Sequence, residues 1–268
     1  MKKISGVIPA IITPFDESGN INRKVLEEII DFQLEAGVDG FFLCGTSGEG
    51  ISLSEEERRR VAELTVNKVR GKALAIVHVG ASSIETVINL TKHAAFIGAD
   101  AVACLPPVSC KGDFLHLREY YEQIAEASEL PCLLYHFPSL TGVNITSEVM
   151  SQLMEIDKII GLKYSDYNLY EMHNIIELGN GNLTVLSGKD EIFLPALVME
   201  ANGAVGLSLN FMPQLFVRIF TAYNQGKLKE AKRFQFEANR IIKILNGYEL
   251  IPAVKAVMEF IGFDCSNC

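Results

Sequence analysis

A lysine ends a short apolar segment near the middle of the chain, in the sequence Ile159-Ile160-Gly161-Leu162-Lys163. If this segment is a buried strand, the amine lies at its carboxyl end, partly out of water. Desolvation disfavours the ammonium form, and a neutral amine can attack a carbonyl carbon to form a Schiff base. A single lysine in such a place more often extends its ammonium into solvent, so its neighbours decide between the two interpretations.

Tyr135 ends the preceding apolar segment, which begins at Cys132. If the two segments are neighbouring parallel strands, the phenol stands beside Lys163. A phenol there can transfer protons to and from the carbinolamine oxygen or a leaving alkoxide. The alternative is a buried core tyrosine, and the expected position beside Lys163 favours the catalytic interpretation.

A glycine-rich loop follows another apolar run, in the sequence Cys44-Gly45-Thr46-Ser47-Gly48-Glu49-Gly50. Glycines let the backbone turn so that successive N–H groups converge, and the hydroxyls of Thr46 and Ser47 add donors. Such a loop suits a carboxylate or a phosphate, although an ordinary turn between a strand and a helix has a similar composition. The two hydroxyl residues between glycines favour anion binding.

These three features define a reaction class. The loop binds the carboxylate of a 2-oxo acid, Lys163 attacks the ketone of that acid, and Tyr135 transfers the protons. The iminium draws electrons towards C2, so that a carbon–carbon bond at C3 can be formed or cleaved. The protonated imine supplies the polarisation that a metal ion gives other aldolases, so we expect no metal and no cofactor. Cys265 and Cys268 have the spacing of two zinc ligands but lack two recognisable partners.

Apolar strand-length runs alternate with amphipathic helix-length segments along the chain, which is typical of a parallel α/β fold. Near-continuous apolar runs such as Ala73–Val77 indicate strands buried on both faces. The predicted strands are Gly6–Ile12, Gly40–Leu43, Ala73–Val79, Ala101–Leu105, Cys132–Tyr135, Ile159–Lys163, Leu183–Leu186 and Ala204–Ser208. Eight such units predict a (β/α)₈ TIM barrel. An open doubly wound sheet is less favoured, because no GxGxxG follows the first strand.

Two of the predicted helices have capping boxes at their starts, at Ser54 with Glu57 and at Ser82 with Glu85. All eight are Asn22–Ala36, Ser54–Val69, Ser83–Ile97, Phe114–Ala127, Ser147–Met154, Leu169–Leu178, Glu191–Glu200 and Gln214–Asn224. Lys227–Leu245 and Ile251–Ile261 predict further C-terminal helices. We therefore expect a barrel over residues 1–224 and a helical appendage of the same domain over residues 225–268.

The composition excludes several classes of partner. The chain has 268 residues with 49% hydrophobic residues, and 24 Lys and Arg against 33 Asp and Glu give a net charge of −9. An acidic chain is a poor match for nucleic acid or an anionic membrane, and no apolar run is long enough to span a bilayer. We expect a cytoplasmic protein whose six scattered cysteines are thiols rather than disulfides.

The motifs together resemble the pyruvate-dependent class I aldolase family that includes N-acetylneuraminate lyase and dihydrodipicolinate synthase. The segments that carry this resemblance are Gly6–Phe15, Gly45–Glu49, Tyr135–Pro138 with Thr141-Gly142, Gly161–Lys163 and Gly188–Glu191. The resemblance implies a TIM barrel, usually a homotetramer or otherwise a homodimer, that acts on pyruvate and an aldehyde. It also implies a Schiff base on Lys163, acid–base catalysis by Tyr135, carboxylate binding by Thr46 and Ser47, and a backbone contact from Val205.

Smaller marks favour the N-acetylneuraminate lyase branch. Leu140 stands where the synthase branch typically has an arginine for the carboxylate of its second substrate. Gly188, Asp190 and Glu191 match the lyase positions that hold a hydroxylated sugar tail, and Ser165 matches a hydroxyl residue near the substrate. The alternative for the two acids is simple stabilisation of a helix N-terminus.

Two departures from the family pattern widen the choice of substrate. Val108 replaces a tyrosine that usually reaches a neighbouring subunit's site, and Leu207 replaces a serine common in sialic acid lyases. The sequence therefore predicts a lyase for sialic acid or a related 2-keto-3-deoxy sugar acid. The alternatives are a synthase that condenses pyruvate with aspartate semialdehyde, or a pyruvate-binding paralogue without turnover.

Overall fold

Eight parallel strands form one sheet in the computed structural model, which describes residues 4–265. The strands are β1 Gly6–Pro9, β2 Gly40–Leu43, β3 Leu74–His78, β4 Ala101–Cys104, β5 Cys132–His136, β6 Ile159–Tyr164, β7 Thr184–Ser187 and β8 Gly203–Gly206. Consecutive strands are neighbours from β2 to β8, and β8 pairs with β1. A parallel bridge between Ala10 and Phe42 brings β1 against β2. The predicted (β/α)₈ barrel is confirmed.

Helices follow the strands around the outside of the barrel. They are α1 Arg23–Glu35, α2 Glu55–Val69, α3 Ile84–Ile97, α4 Phe114–Ala127, α5 Pro138–Thr141, α6 Ser147–Leu153, α7 Leu169–Leu178, α8 Phe193–Val198, α9 Pro213–Asn224, α10 Leu228–Leu245 and α11 Leu250–Phe260. The short helix α5 was not predicted from the sequence.

One of the two predicted capping boxes is confirmed and the other is wrong. Ser54 accepts the Glu57 N–H at 3.2 Å, and the Glu57 carboxylate accepts the Ser54 N–H at 2.8 Å. The cap of α3 is Ser83, whose side chain makes no capping hydrogen bond. Ser82 therefore lies one residue outside the cap position, and its spacing to Glu85 has no capping role.

The element boundaries differ from the prediction at β1, at β8 and in the segment before α8. β1 ends at Pro9 rather than Ile12, and β8 ends at Gly206 before a 3₁₀ turn over Ser208–Asn210. The predicted helix Glu191–Glu200 is a 3₁₀ turn, Asp190–Ile192, followed by α8. Glu200 has a left-handed backbone with φ of 72°, which a continuing right-handed helix does not allow.

The core has an inner and an outer part, as expected for a barrel. The inner cluster fills the barrel with side chains that include Ile8, Phe42, Leu133 and Tyr135. The outer cluster lies between the strands and the helices and is larger. Alternation along β5 shows the division, because Leu133 and Tyr135 point inward while Cys132 and Leu134 point outward.

The cysteines that the structure describes in the barrel, Cys44, Cys104, Cys110 and Cys132, are buried thiols rather than disulfides. Cys268 lies outside the described residues, so the suggested pair with Cys265 is not described. No helix within residues 4–265 has the length and apolar character needed to cross a membrane.

Candidate active site

A cavity of about 190 Å³ opens at the carboxyl ends of the strands, where barrel enzymes have their active sites. All the site residues predicted from the sequence line it, namely Thr46, Ser47, Tyr135, Lys163, Ser165, Gly188, Asp190, Glu191 and Val205. These residues come from loops or strands far apart in the sequence, and the barrel brings them together.

Lys163 lies on β6 directly beside Tyr135 on β5. The Lys163 side chain is buried, and its Nζ atom lies 4.1 Å from the ring centroid of Tyr135 and 4.3 Å from that of Phe42. Both rings stabilise a cation through their faces. The amine thus sits in a largely water-free setting that opens only towards the cavity.

A bulge in β6 sets the direction of Lys163. The register between β5 and β6 shifts so that Leu133 pairs with Gly161, leaving Ile160 without a partner of its own. Since side chains alternate along a strand, one extra residue reverses which of them face inward. Gly161 makes this possible, because its φ is 149° and a Cβ there would lie 1.7 Å from the Thr184 carbonyl oxygen.

The Tyr135 hydroxyl is surrounded by groups that favour its ionised form. Burial alone would raise the pKa of Tyr135, but the Lys163 ammonium and hydrogen bonds from Lys163, Thr46 and Ser165 bring that pKa below its ordinary value. The ring packs edge-on against Phe42 at 5.7 Å between centroids. A phenol held in this way is suited to accept and return a proton.

The loop that carries Thr46 and Ser47 is tightly folded. Cys44 and Glu49 have left-handed backbones, with φ of 54° and 55°. The Gly50 N–H donates to the Gly45 carbonyl at 3.0 Å, and a Cβ on Gly50 would lie 1.8 Å from the Cys44 carbonyl oxygen. The glycine at position 50 is therefore required by the close return of the backbone.

A buried ion pair joins this loop to the C-terminal helices. Lys255 of α11 places its Nζ 2.7 Å from Glu49 Oε1, and the lysine side chain is 3% exposed. The same Nζ lies 4.3 Å from the ring centroid of Phe15. This pair was not predicted from the sequence.

Ser165 and Gly188 meet above the ends of β6 and β7. The Gly188 N–H donates to the Tyr164 carbonyl at 2.7 Å, and a Cβ on Gly188 would lie 1.9 Å from Ser165 Oγ. Gly188 thus leaves room for the Ser165 hydroxyl at the cavity wall. Val205, on β8, is buried on the inner face of the barrel.

Asp190 is a buried carboxylate, and one of its two oxygens has a hydrogen-bond partner. Its Oδ2 accepts the Ser208 N–H at 2.7 Å, whereas Oδ1 has no hydrogen-bond partner among residues 4–265. A Cβ on Gly206 would lie 1.7 Å from Oδ1, so a glycine there is needed to admit the carboxylate. Burial raises the pKa of Asp190 to about 6, against the lowering effect of the Ser208 hydrogen bonds.

Glu191 is less buried and has a side-chain partner. Its Oε1 accepts a hydrogen bond from the Tyr167 hydroxyl, which raises the pKa of Tyr167 to about 12. Its main-chain carbonyl accepts from Asn239 Nδ2 of α10 at 2.9 Å. Both acids lie in the 3₁₀ turn before α8, so the helix-terminus alternative describes their position, while both residues also line the cavity.

Other lining residues were not assigned to the site from the sequence. Lys189 lies between two predicted site residues and would have been found by counting residues after the strand. The C-terminal helices and the turn between them supply Ile242, Leu245, Asn246, Leu250 and Val254. The amphipathic pattern of those helices predicts a buried face but does not tell which surface that face covers.

A second cavity, of about 420 Å³, contains one of the two family departures and the position that favours the lyase branch. Val108 and Leu140 line it and are 65% and 47% exposed. His78 forms part of its wall, with Nδ1 donating to the Cys44 carbonyl at 3.1 Å and Nε2 accepting the Leu105 N–H at 3.3 Å. Burial lowers the pKa of His78 to about 3, so this imidazole is neutral.

Comparison with known proteins places the chain among pyruvate-dependent enzymes. The Dihydrodipicolinate synthetase family matches residues 3–268. A 4-hydroxy-tetrahydrodipicolinate synthase of Syntrophus aciditrophicus is 34% identical over 96% of this chain and 88% of its own. An N-acetylneuraminate lyase of Clostridium perfringens is 31% identical over 99% of this chain and 92% of its own.

A solved structure gives the same picture for the fold. YagE, a prophage protein of the dihydrodipicolinic acid synthase family from E. coli K12, was solved in complex with pyruvate. It superposes with a TM-score of 0.93 and 28% identity, over 97% of this chain and 89% of its own. The relatives thus carry two different activity names at similar identity.

Proposed function

This chain belongs to the Dihydrodipicolinate synthetase family, and from that premise we propose that it is a Schiff-base lyase for sialic acid or a related 2-keto-3-deoxy sugar acid. The family consists of pyruvate-dependent lyases and synthases, so the chain is an enzyme of the pyruvate-dependent aldolase class. The observation that carries the finer proposal is the pairing of Lys163 with Tyr135 in one cavity with Asp190 and Glu191.

The proposed cleavage begins with capture of the substrate ketone. The Lys163 amine attacks C2, and the carbinolamine loses water to give a protonated imine. Thr46 and Ser47 hold the carboxylate of the 2-oxo acid and so orient C2 towards Nζ. Tyr135 supplies and accepts the protons of this step, because its hydroxyl is in contact with Lys163 and Thr46.

Cleavage of the C3–C4 bond follows. The C4 hydroxyl gives its proton to the Tyr135 phenolate, C4 becomes the carbonyl carbon of the leaving aldehyde, and the bond electrons pass through C3 and C2 to the imine nitrogen. The resulting enamine takes a proton at C3, and water hydrolyses the imine to release pyruvate and free Lys163. The lowered pKa of Tyr135 makes its phenolate available for the first of these transfers.

The far side of the cavity supports a hydroxylated second substrate. Ser165 and the acids Asp190 and Glu191 line that side. Carboxylates accept several hydroxyl hydrogen bonds at once. Leu140 supports the choice against the synthase reaction, since it is apolar and stands where the synthase branch typically has an arginine.

We also propose that the protein is a cytoplasmic homotetramer or homodimer. Val108, Leu140 and Ile51 form an exposed apolar group around the second cavity, and large apolar patches on soluble proteins are often covered by another subunit. Native mass spectrometry tests the assembly, and a monomer at micromolar concentration contradicts it.

Borohydride trapping tests the central step. The enzyme is incubated with pyruvate, reduced, and analysed by intact mass and peptide mapping. We expect one pyruvate-sized adduct, on Lys163 and not on Lys189, the other lysine of the cavity. A folded protein that gives no adduct contradicts the Schiff-base proposal and supports the alternative of a pyruvate-binding paralogue without turnover. An adduct on another lysine contradicts the role of Lys163.

A substrate panel tests the reaction. N-acetylneuraminate and 2-keto-3-deoxygluconate are assayed for release of pyruvate, and aspartate semialdehyde is assayed for condensation with pyruvate. Release from either sugar acid is the expected result. Condensation with aspartate semialdehyde and no release from a sugar acid identifies the synthase reaction instead.

A further inference from the structure

Lys189 is a cation of the cavity wall that the reaction described above does not use. It follows β7, and its Nζ lies 4.6 Å from the ring centroid of Tyr167 and 5.5 Å from that of Phe137. Tyr167 follows β6 and Phe137 follows β5. The ammonium therefore lies near the carboxyl end of β6, the strand that carries Lys163, on the outer side of the cavity.

Both aromatic side chains that hold this ammonium are themselves fixed. The Tyr167 hydroxyl donates to Glu191, and the Phe137 ring stacks on Tyr135 with centroids 6.0 Å apart. Ring faces of this kind attract a cation. Lys189 Nζ is thus preorganised before any ligand arrives.

The ammonium has no anionic partner within residues 4–265. The side-chain contacts of Lys189 there are the two ring faces, while its main-chain atoms meet Ser187. The two neighbouring acids are engaged elsewhere, Asp190 with the Ser208 N–H and Glu191 with the Tyr167 hydroxyl. Three N–H donors of one ammonium therefore remain for a ligand in the cavity.

The carboxylate of pyruvate does not need this cation. Thr46 and Ser47, which suit that carboxylate, follow β2, and strands β1 and β8 separate β2 from β7. Lys189 is instead beside Asp190 and Glu191, on the side where the second substrate extends from the reacting carbon. An anionic group on that second substrate would meet Lys189.

We propose that Lys189 binds an anionic group, a carboxylate or a phosphate, at the end of the second substrate distal from its aldehyde carbon. This rests on the proposed function, because it assumes that the aldehyde adds to pyruvate held on Lys163. Of the substrates covered by the proposed function, the preferred one is then a 2-keto-3-deoxy sugar acid whose aldehyde half has a terminal negative charge and hydroxyl groups that face Asp190 and Glu191.

The experiment measures condensation of pyruvate with three aldehydes: neutral glyceraldehyde, glyceraldehyde 3-phosphate and succinic semialdehyde. Initial rates give kcat/KM for each in the wild type, Lys189→Met and Lys189→Arg. Methionine keeps an unbranched apolar side chain against the two rings and removes the charge. Lys232→Met is the matched control, because Lys232 also lies over an aromatic ring, that of Phe236 at 5.4 Å, but outside the cavity.

We expect the wild type to prefer one of the charged aldehydes to glyceraldehyde, and Lys189→Met to lower that preference about tenfold or more, as loss of a charge-assisted hydrogen bond does. Lys189→Arg restores most of it, and Lys232→Met keeps it. The favoured aldehyde tells whether the anion is a phosphate or a carboxylate. A wild type without the preference, or an equal loss with all three aldehydes in Lys189→Met, overturns the proposal.

Borohydride trapping of the wild type with pyruvate separates this proposal from the one on which it rests. Absence of an adduct on Lys163 contradicts the proposed function. An adduct on Lys163 together with no preference for charged aldehydes contradicts only the role of Lys189.

Discussion

Two loops at the carboxyl end of the barrel carry most polar groups of the cavity, and the C-terminal helices hold them in different ways. The loop over residues 44–50 is held by an ion pair, in which Lys255 of α11 contacts the Glu49 carboxylate at 2.7 Å. The loop over residues 188–192 is held by side-chain amides of α10. Gln235 donates to the Asp190 carbonyl at 3.0 Å, and Asn239 donates to the Glu191 carbonyl at 2.9 Å.

Under the proposed function, the difference separates a loop that binds the 2-oxo acid from a loop that selects the second substrate. In the first loop the acidic side chain is neutralised within the protein, so that only hydroxyls and backbone face the cavity. In the second loop the helix contacts use main-chain carbonyls, and the side chains of Lys189, Asp190 and Glu191 remain at the cavity. The proposed function thus assigns the 2-oxo acid to the first loop and the aldehyde, which differs between substrates, to the second.

The largest effect is expected from breaking the ion pair with Lys255→Met. Removal of one partner leaves Glu49 with an uncompensated charge, which typically costs about 3–5 kcal/mol for buried pairs. We expect a loss of about 4 kcal/mol in the free energy of unfolding, measured by urea denaturation. We also expect a higher KM for pyruvate, because the loop with Thr46 and Ser47 loses its brace.

The double variant Glu49→Gln with Lys255→Met is the control for this prediction. It removes both charges, so we expect it to regain much of the stability lost in the single variant. A purely structural pair would alter the free energy of unfolding and leave the KM of the folded enzyme for pyruvate unchanged. Equal stability of Lys255→Met and wild type would show that the pair is not a brace.

The sequence predicts the first loop far better than it predicts the brace. Thr46 and Ser47 were found because glycines surround them after an apolar strand, and Lys163 and Tyr135 because each ends a strand. Those signals are local. The contact between Glu49 and Lys255 joins distant parts of the chain, and nothing in either neighbourhood indicates the other.

The second loop shows where local signals fail. Gly188, Asp190 and Glu191 were found by resemblance, but the sequence does not reveal that Gln235 and Asn239 lie beneath them. The bulge at Ile160 is a further case, since it decides that Lys163 faces inward and depends on the pairing of β6 with β5. Periodicity predicted the strand, and tertiary pairing set its register.

The second prediction concerns Asp190, the buried acid of the second loop, and is tested by measuring the free energy of unfolding against pH. Burial raises the pKa of Asp190 to about 6, with Glu191 raising it further and the Ser208 hydrogen bonds and Lys163 lowering it. Because the folded-state pKa lies above that of the unfolded chain, the stabilising contribution is complete below about pH 4 and is lost as the pH rises through about 6. The shift corresponds to about 3 kcal/mol.

Asp190→Asn removes this titration while keeping an oxygen for the Ser208 N–H. We expect the free energy of unfolding of the variant, relative to wild type, to increase between pH 4 and pH 6.5. Asp39→Asn is the matched control, since Asp39 also accepts a backbone N–H, that of Val7 at 2.8 Å, and burial also raises its pKa, but the residue is exposed, so we expect a smaller change with pH. A pH-independent difference for Asp190→Asn, or an equal one for Asp39→Asn, would mean that Asp190 is not the uncompensated group.

The smallest effects are expected from removing the uncharged contacts that α10 makes to the second loop, of which Gln235→Leu removes the larger part. Gln235 is buried, accepts the Leu194 N–H at 2.8 Å and donates to the Asp190 carbonyl, so leucine leaves both main-chain groups without their partner. Unsatisfied buried groups cost about 1–3 kcal/mol each, and partial access of water from the cavity reduces the sum to about 2 kcal/mol. Asn239→Ala should cost less, because its bond to the Glu191 carbonyl is partly open to solvent. If Gln235→Leu instead destabilises the protein as much as Lys255→Met and raises KM for pyruvate, the two loops are coupled through the C-terminal helices rather than held separately.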